Sequence, residues 1–262
     1  MRRSRLPFVV LAFVLVFFYL PILILVVNSF NASRFGGGWQ GFSLRWYVRL
    51  FQEAEIWQAA RTTLVIALTV TLVSLVLGTT SALALHRFAK SRLQRLHYTL
   101  IYTPLVVPEI LMGISLLMSF VAVGVPLGLT TIFLAHVTFC VSYVALVVFG
   151  RLQDFDDSVI EAAQDLGAGW WTTARRVLLP MLAPGLAAGG LLAFTLSVDD
   201  FVITFFVAGP GATTLPIRVY SMIKHGATPL INALSTLLLV LTFLTVGVSQ
   251  RLSKSKLLQG GS

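Results

Sequence analysis

Charge is scarce in this sequence of 262 residues: 11% of the residues are charged, while 57% are hydrophobic. Soluble domains carry charge on about a quarter of their residues, so the composition excludes an ordinary soluble protein. It predicts one all-α membrane domain over residues 1–262. Cysteine is also rare, because Cys140 is the only one. A disulfide within the chain is therefore impossible, and we interpret Cys140 as a small packing residue.

The motifs of several enzyme classes are missing as well. No Gly-Lys pair occurs in the sequence, so there is no G-x-x-x-x-G-K-[ST] loop to hold the phosphates of ATP. An H-E-x-x-H zinc pair and a G-x-S-x-G nucleophile elbow are also absent from the sequence. His136 stands alone in an apolar run, and we interpret it as a packed or hydrogen-bonded side chain. We predict a chain that is not itself an enzyme and holds no cofactor or metal.

The sequence is rich in apolar runs of membrane-spanning length. A helix needs about 20 mostly apolar residues to cross the hydrocarbon core of a bilayer. Six segments meet that requirement: residues 6–27, 60–85, 98–121, 127–149, 182–207 and 230–249. The first follows a basic head but is longer than the ~7–15 residue core of a signal peptide, and no clean small-x-small cleavage site follows. We interpret it as a retained membrane helix.

The Lys and Arg residues orient these spans. One set of flanks carries 13 basic residues and the opposite set carries 6. Cytoplasmic flanks are enriched in Lys and Arg, so both termini, which belong to the richer set, are predicted to be cytoplasmic. The net charge of +9 then reflects topology rather than nucleic-acid binding.

In this topology residues 28–59 form an external loop after the first helix. Its aromatic residues Trp46, Tyr47 and Trp57, with the glycine-rich "RFGGGWQGF", are typical of an interfacial aromatic belt and a flexible turn. A docking surface for an external partner is the alternative.

The core, residues 60–250, contains the largest cytoplasmic loop, residues 151–181. Acidic residues suited to a helix N-terminus precede its "VIEAAQDLG": Asp154, Asp156 and Asp157. Gly167 and Gly169 can end that short helix, because glycine adopts the left-handed conformation cheaply. "WWTTARRVLL" then resumes helical character until Pro180 and Pro184 redirect the chain into span five. The pattern predicts a helix–turn–helix whose apolar residues face another surface.

The "EAA" of this loop begins at Glu161, Gly167 stands six positions later, and "LLP" ends at Pro180. This spacing resembles the EAA motif of type I ABC importer permeases. The resemblance implies the fold of those permeases, in which the loop forms a coupling helix held in a cleft of a separate cytoplasmic ATPase subunit. It implies coupling roles for six residues: Glu161, Ala162, Ala163, Asp165, Gly167 and Pro180. An amphipathic loop lying on the membrane is the alternative.

Three carboxylates fall within the predicted spans: Glu109, Asp199 and Asp200. A carboxylate in a bilayer costs about 2.5–3.5 kcal/mol on insertion scales, so such residues are functional candidates. At 1.5 Å per residue, Glu109 lies about 17 Å into span three and Asp199 about 25 Å into span five. Neither span contains Lys or Arg. We therefore predict a path for an elongated cation; the alternative is that Asp199 or Asp200 caps the outer end of span five.

The stretches "SVDDFVITFF" and "PLVVPEILMGISLL" resemble the second permease of spermidine/putrescine ABC importers, and the similarity extends over essentially the whole chain. It implies polyamine import across the bacterial inner membrane. The implied partners are a related permease in a heterodimer, two ATPase subunits that bind ATP, and a periplasmic polyamine-binding protein. Near relatives carry other solutes, including ferric iron, so a permease for another solute is an alternative. An ion-coupled secondary transporter is the alternative of a different class, and an internal inverted repeat would support it.

Overall fold

A computed structural model describes residues 6–34, 38–88, 91–153, 156, 158–224, 226 and 229–259, but not the side chains of residues 92 and 245–259. Across these residues the chain is helical, apart from loops and one isolated antiparallel bridge between Asn31 and Phe42. Several residues that were counted or quoted above lie outside the described part: the basic residues Arg2, Arg3, Arg5 and Lys90, the acidic residues Asp154 and Asp157, and Phe35, Gly36 and Gly37 of the glycine-rich stretch.

The helices follow in chain order as α1 Leu6–Ser29, α2 Arg45–Gln52, α3 Ala54–Arg87, α4 Arg92–Val106, α5 Glu109–Val123, α6 Leu129–Gln153, α7 Ser158–Asp165, α8 Trp170–Thr173, α9 Leu179–Asp199, α10 Val202–Val207, α11 Leu215–Lys224 and α12 Pro229–Gln259. A π-helical turn, Ala174–Leu178, joins α8 to α9. The chain divides into two compact units, one of residues 1–57 with 219–262 and the other of residues 58–218. All the candidate site residues lie in the second unit.

Four of the described helices are long and apolar enough to cross a membrane: Leu6–Ser29, Ala54–Arg87, Leu129–Gln153 and Trp170–Asp199. A fifth candidate is the pair Leu93–Val106 and Glu109–Val123, whose two helices are bent by 112°. At the sixth predicted span, the described residues form a shorter apolar helix, Pro229–Leu244. Helices therefore coincide with all six predicted segments, and four or five of them meet the requirements for a span.

The predicted span of residues 98–121 is not one continuous helix. α4 ends at Val106 and α5 begins at Glu109. Pro108 lacks an N–H and disfavours the helical conformation at the residue before it, and Val107 is accordingly extended, with φ −69° and ψ 129°. Glu109 is therefore the first residue of α5, and it does not lie in the middle of a continuous helix.

The predicted course of span five is also wrong in two respects. Helix runs from Trp170 to Asp199 without a change of direction at Pro180. The π-helical turn ends at Leu178, and the Leu179 N–H donates to the Ala174 carbonyl five residues back. Pro180, which has no N–H, follows this turn directly within the continuous helix. The interruption comes later, because α9 ends at Asp199 and Asp200 is extended, with ψ 121°.

The core of the second unit forms where α6 packs against α3 and α9. Val144 of α6 is fully buried, and glycines opposite it allow close approach of the helices. A Cβ added to Gly78 of α3 would lie 2.7 Å from the Val144 Cβ, and one added to Gly189 of α9 would lie 3.5 Å from the Val144 Cα. Cys140 is fully buried in the same cluster, which confirms its interpretation as a packing residue.

In the first unit, hydrogen bonds order the described part of the loop that follows α1. The Asn31 side-chain oxygen accepts from the backbone N–H groups of Ser33 and Gln40, at 3.1 Å and 2.9 Å. The indole N–H of Trp46 donates to the Asn31 carbonyl at 2.9 Å, and Trp46 is 5% exposed. Trp46 is thus a packing residue of this unit, whereas Trp57 remains partly exposed.

Candidate functional site

The two helix interruptions of the second unit meet at one cavity of about 470 Å³. Glu109 reaches it from the α4–α5 break, and Asp199 and Asp200 reach it from the α9–α10 break. Phe139 and Tyr143 of α6 line the same cavity, and none of the described lining residues is Lys or Arg. Small-molecule sites commonly have volumes of about 300–1,000 Å³, so this cavity is large enough for a metabolite.

Packing of α10 between α5 and α6 brings the two breaks together. A Cβ added to Gly113 of α5 would lie 2.7 Å from the Phe206 ring and 3.4 Å from the Ile203 Cα, so only glycine allows this approach. On the other side, the Thr131 hydroxyl of α6 donates to the Val207 carbonyl at 2.8 Å. The position of α10 therefore fixes the distance between the break that bears Glu109 and the break that bears the two aspartates.

The three acids have different surroundings. The Asp200 side chain is 6% exposed, and its Oδ2 accepts hydrogen bonds from the Thr204 backbone N–H at 2.8 Å and the Thr204 hydroxyl at 2.6 Å. Asp200 thus caps the start of α10. Glu109 and Asp199 are exposed in this chain. No residue in the described part forms a hydrogen bond or ion pair with either of their carboxylates.

His136 is 1% exposed and has three polar neighbours. Its Nδ1 lies 2.8 Å from the Ser197 hydroxyl, and its Nε2 lies 2.8 Å from the Thr204 hydroxyl and 3.2 Å from Asp200 Oδ2. The interpretation of His136 as a packed, hydrogen-bonded side chain is confirmed. The pairing of His136 with Asp200, which lies 64 positions away, was not predicted from the sequence. The available signal was that a lone histidine and a lone carboxylate in apolar runs each require a polar partner.

The loop of residues 151–181 contains a short capped helix, α7. The Asp156 side chain accepts from the Ser158 backbone N–H at 3.0 Å, and its carbonyl accepts from the Val159 N–H at 3.2 Å. Hydrogen bonds from the side chain and then the backbone of Ser158 lower the pKa of Asp156. The prediction that an acidic residue stands at this helix start is confirmed for Asp156.

At its other end, α7 stops in a Schellman motif. The Gly167 N–H donates to the Gln164 carbonyl at 2.8 Å, and the Ala168 N–H donates to the Ala163 carbonyl at 3.0 Å. Gly167 has φ +85°, a left-handed conformation that favours glycine. Gly169 has φ −65° and is the N-terminal flanking residue of α8, so it begins the next helix and does not end α7.

The surface of this loop combines polar and apolar groups. Glu161, Ala162, Asp165 and Pro180 are exposed, whereas Ala163 is half-buried. Two large apolar side chains beside them are also exposed, with 89% of Leu166 and 74% of Trp171 accessible. Glu161 additionally lines a second cavity, of about 670 Å³, together with Arg87 of α3 and Trp170 of α8. The loop thus presents an apolar surface that nothing in the described chain covers.

Comparison with known proteins identifies relatives along most of the chain. The family described as binding-protein-dependent transport system inner membrane component matches residues 74–256. The spermidine/putrescine transport system permease protein PotC of Escherichia coli (strain K12) is 42% identical over 240 residues, which cover 92% of this chain and 90% of PotC. The putrescine transport system permease protein PotI of the same organism is 45% identical over 243 residues, covering 90% and 86% of the two chains.

Solved structures share the fold at lower identity. A chain of a bacterial ABC transporter that imports the acidic polysaccharide alginate superposes with a TM-score of 0.74 at 16% identity, covering 96% of this chain and 98% of that one. A chain of the inward-facing MetNI methionine ABC transporter gives a TM-score of 0.64 at 21% identity, covering 78% and 98%. With a family match over residues 74–256 and relatives above 40% identity along nine tenths of its length, the chain belongs to the family of binding-protein-dependent transport system inner membrane components.

Proposed function

We propose that this chain is the membrane-spanning permease subunit of an ATP-driven ABC importer that carries polyamines into the cytoplasm. The observation that carries the proposal is 42% and 45% identity to permeases named for spermidine and putrescine, over at least 86% of each relative. The proposal assigns ATP hydrolysis to two separate ATPase subunits. In the proposal, this chain forms a heterodimer with a related permease in the bacterial inner membrane. A periplasmic polyamine-binding protein delivers the solute to that heterodimer.

The proposed topology has six spans and two cytoplasmic termini. The 13 to 6 division of Lys and Arg supports the orientation. α12 is 31 residues long, about 46 Å at 1.5 Å per residue, which exceeds the ~30 Å hydrocarbon core. The bent pair α4–α5 would serve as span three. Reporter fusions at residues 1 and 262 test this topology, and an externally active reporter at either end would contradict it.

In the proposed path, Glu109, Asp199 and Asp200 give the cavity the negative charge that attracts the ammonium groups of the solute. Their meeting at one cavity free of described Lys and Arg side chains supports this role. The rings of Phe139 and Tyr143 in the same cavity add favourable faces for a cation, at about 0.5–2 kcal/mol each. Interaction energies of this size fit a transport path, because a transported ion must leave each position as readily as it enters.

In the proposed coupling role, the loop around α7 binds the ATPase subunit through Glu161, Ala162, Ala163, Asp165, Gly167 and Pro180. The exposed Leu166 and Trp171 support a protein contact, because large apolar groups at a loop tip gain most when a partner covers them. Glu161 would supply a charge to a basic group of that partner.

The test is reconstitution of this chain with the ATPase, second permease and polyamine-binding protein of the same organism. We expect ATP-dependent uptake of labelled spermidine or putrescine into proteoliposomes. Ferric iron and 2-aminoethylphosphonate serve as competing solutes, the latter because a Salmonella typhimurium permease named for it is 27% identical to this chain. Uptake of a competing solute without uptake of either polyamine would refute the proposed substrate and leave the permease assignment intact.

A further inference from the structure

Asp200 belongs to a buried hydrogen-bonded cluster that joins three helices. Ser197 lies in the last turn of α9, Asp200 in the break, Thr204 in α10 and His136 in α6. We infer that Asp200 is the fixed anion of this His136 clamp (His136, Ser197, Asp200 and Thr204) and not a ligand for the transported cation. His136 is then a positioning residue for the cavity.

This inference rests on the proposed polyamine path and narrows it. Of the three acids at the cavity, Glu109 and Asp199 would remain as ligands for the ammonium groups. Both are exposed in the chain, and no described side chain donates a hydrogen bond to either carboxylate. Each is the residue adjoining a helix break, so the path would hold one acid at each break.

Asp200 differs from these two acids because its carboxylate already accepts hydrogen bonds from within the chain. The Thr204 hydroxyl donates its proton to Asp200 Oδ2. The Thr204 Oγ1 can therefore accept a hydrogen bond from the His136 Nε2–H, and these two heavy atoms are 2.8 Å apart. The same Nε2–H lies 3.2 Å from Asp200 Oδ2, and the Thr204 backbone N–H donates to that oxygen at 2.8 Å. The other oxygen, Oδ1, accepts from the Ile203 backbone N–H at 3.4 Å, and the Asp200 side chain is 6% exposed. A cation that bound Asp200 would therefore have to reach a nearly buried carboxylate whose charge these hydrogen bonds already stabilise.

The clamp also determines where the cavity wall lies. Asp200 holds the first turn of α10, and His136 holds Asp200 against α6. α10 in turn packs on α5 at Gly113, four residues after Glu109. Loosening the clamp would therefore shift the break that bears Asp199 relative to the break that bears Glu109, without removing either charge.

The experiment compares conservative and truncating changes in the complete reconstituted importer. At a ligand position, the charge matters, so Asp199→Asn should lower spermidine uptake at least tenfold. At a clamp position, the acceptor matters, so Asp200→Asn should keep at least half of the wild-type rate, since asparagine also caps helices. Asp200→Ala removes the acceptor and should lower uptake at least tenfold. His136→Gln should retain more uptake than His136→Leu, because glutamine restores a side-chain N–H donor.

Selectivity provides a second readout that a purely structural role does not affect. Spermidine and putrescine differ in the number and spacing of their ammonium groups. Loss of a ligand charge at Asp199 should therefore change the spermidine-to-putrescine uptake ratio. Asp200→Asn keeps an acceptor in the clamp and therefore the relative positions of the two breaks, so it should leave the ratio at its wild-type value.

The outcomes separate this inference from the proposed function. If Asp200→Asn assembles with its partners but loses uptake as severely as Asp199→Asn, with the same change in ratio, the inference is overturned and the polyamine path stands. If Glu109→Gln and Asp199→Asn both transport at the wild-type rate and ratio, the cation path itself is refuted. Failure of Asp200→Asn alone to assemble would assign Asp200 to the structure, but it would refute the expectation that a neutral acceptor suffices in the clamp.

Discussion

Replacement of Gly167 by valine tests the coupling loop most directly. Gly167 ends α7 with φ +85°, and two backbone hydrogen bonds of the Schellman motif depend on that conformation. A Cβ at this position would have no described atom within 4 Å. A loss of activity in Gly167→Val would therefore not come from steric overlap with the rest of the described chain. The reason is the backbone, because a β-branched residue disfavours positive φ strongly.

The size of the effect follows from the cost of that conformation. A non-glycine residue held at positive φ costs about 1–3 kcal/mol, with valine toward the upper end. Because 1.4 kcal/mol is a factor of ten, the fraction of molecules with a correctly ended α7 would fall about 5- to 150-fold. We expect Gly167→Val to lower uptake and substrate-stimulated ATP hydrolysis at least about tenfold, while the protein still inserts in the membrane.

Two control substitutions isolate the backbone effect. Gly167→Asn should retain most of the activity, since asparagine tolerates the left-handed region far better than valine does. Gly169→Ser lies two residues away, where φ is −65°, a Cβ likewise meets no described atom and serine is favoured at a helix N-cap, so we expect activity within about twofold of wild type. The assay is coupled ATPase and uptake measurement on complexes of verified subunit ratio. Equal activity of Gly167→Val and Gly167→Asn would refute the reasoning.

Three further predictions concern assembly and packing. The purified chain alone should neither hydrolyse ATP nor transport in liposomes, with or without ATP, and activity there would favour the secondary transporter instead. Trp171→Ala should weaken binding of the ATPase subunit about tenfold or more in a titration, whereas Phe13→Ala, an equally exposed aromatic of α1, should not. Gly209→Ala should destabilise the fold by about 1–3 kcal/mol, because its Cβ would overlap the Leu127 carbonyl; Gly128→Ala, which has open space, is the control, and equal thermal midpoints would contradict the prediction.

Features that depend on local chemistry were predictable from the sequence. Apolar length identified the helices, and the acidic start and glycine end of α7 correspond to Asp156 and Gly167 in the structure. The EAA spacing identified the family that the comparisons show. Each of these signals lies within a few residues of the feature that it predicts, because capping, membrane length and left-handed turns are properties of short segments.

Features that depend on contacts between distant segments required the tertiary structure. Pro108 marks the position of the break before Glu109, but it does not give the 112° bend between the two helices, and no proline or glycine marks the end of α9 at Asp199. The partnership of His136 and Asp200 joins residues 64 positions apart, and only the packing of α6 against α9 brings them within hydrogen-bonding distance. The sequence therefore identified the polar residues within the apolar runs. Helix packing decided which of those polar groups are paired and which face a cavity.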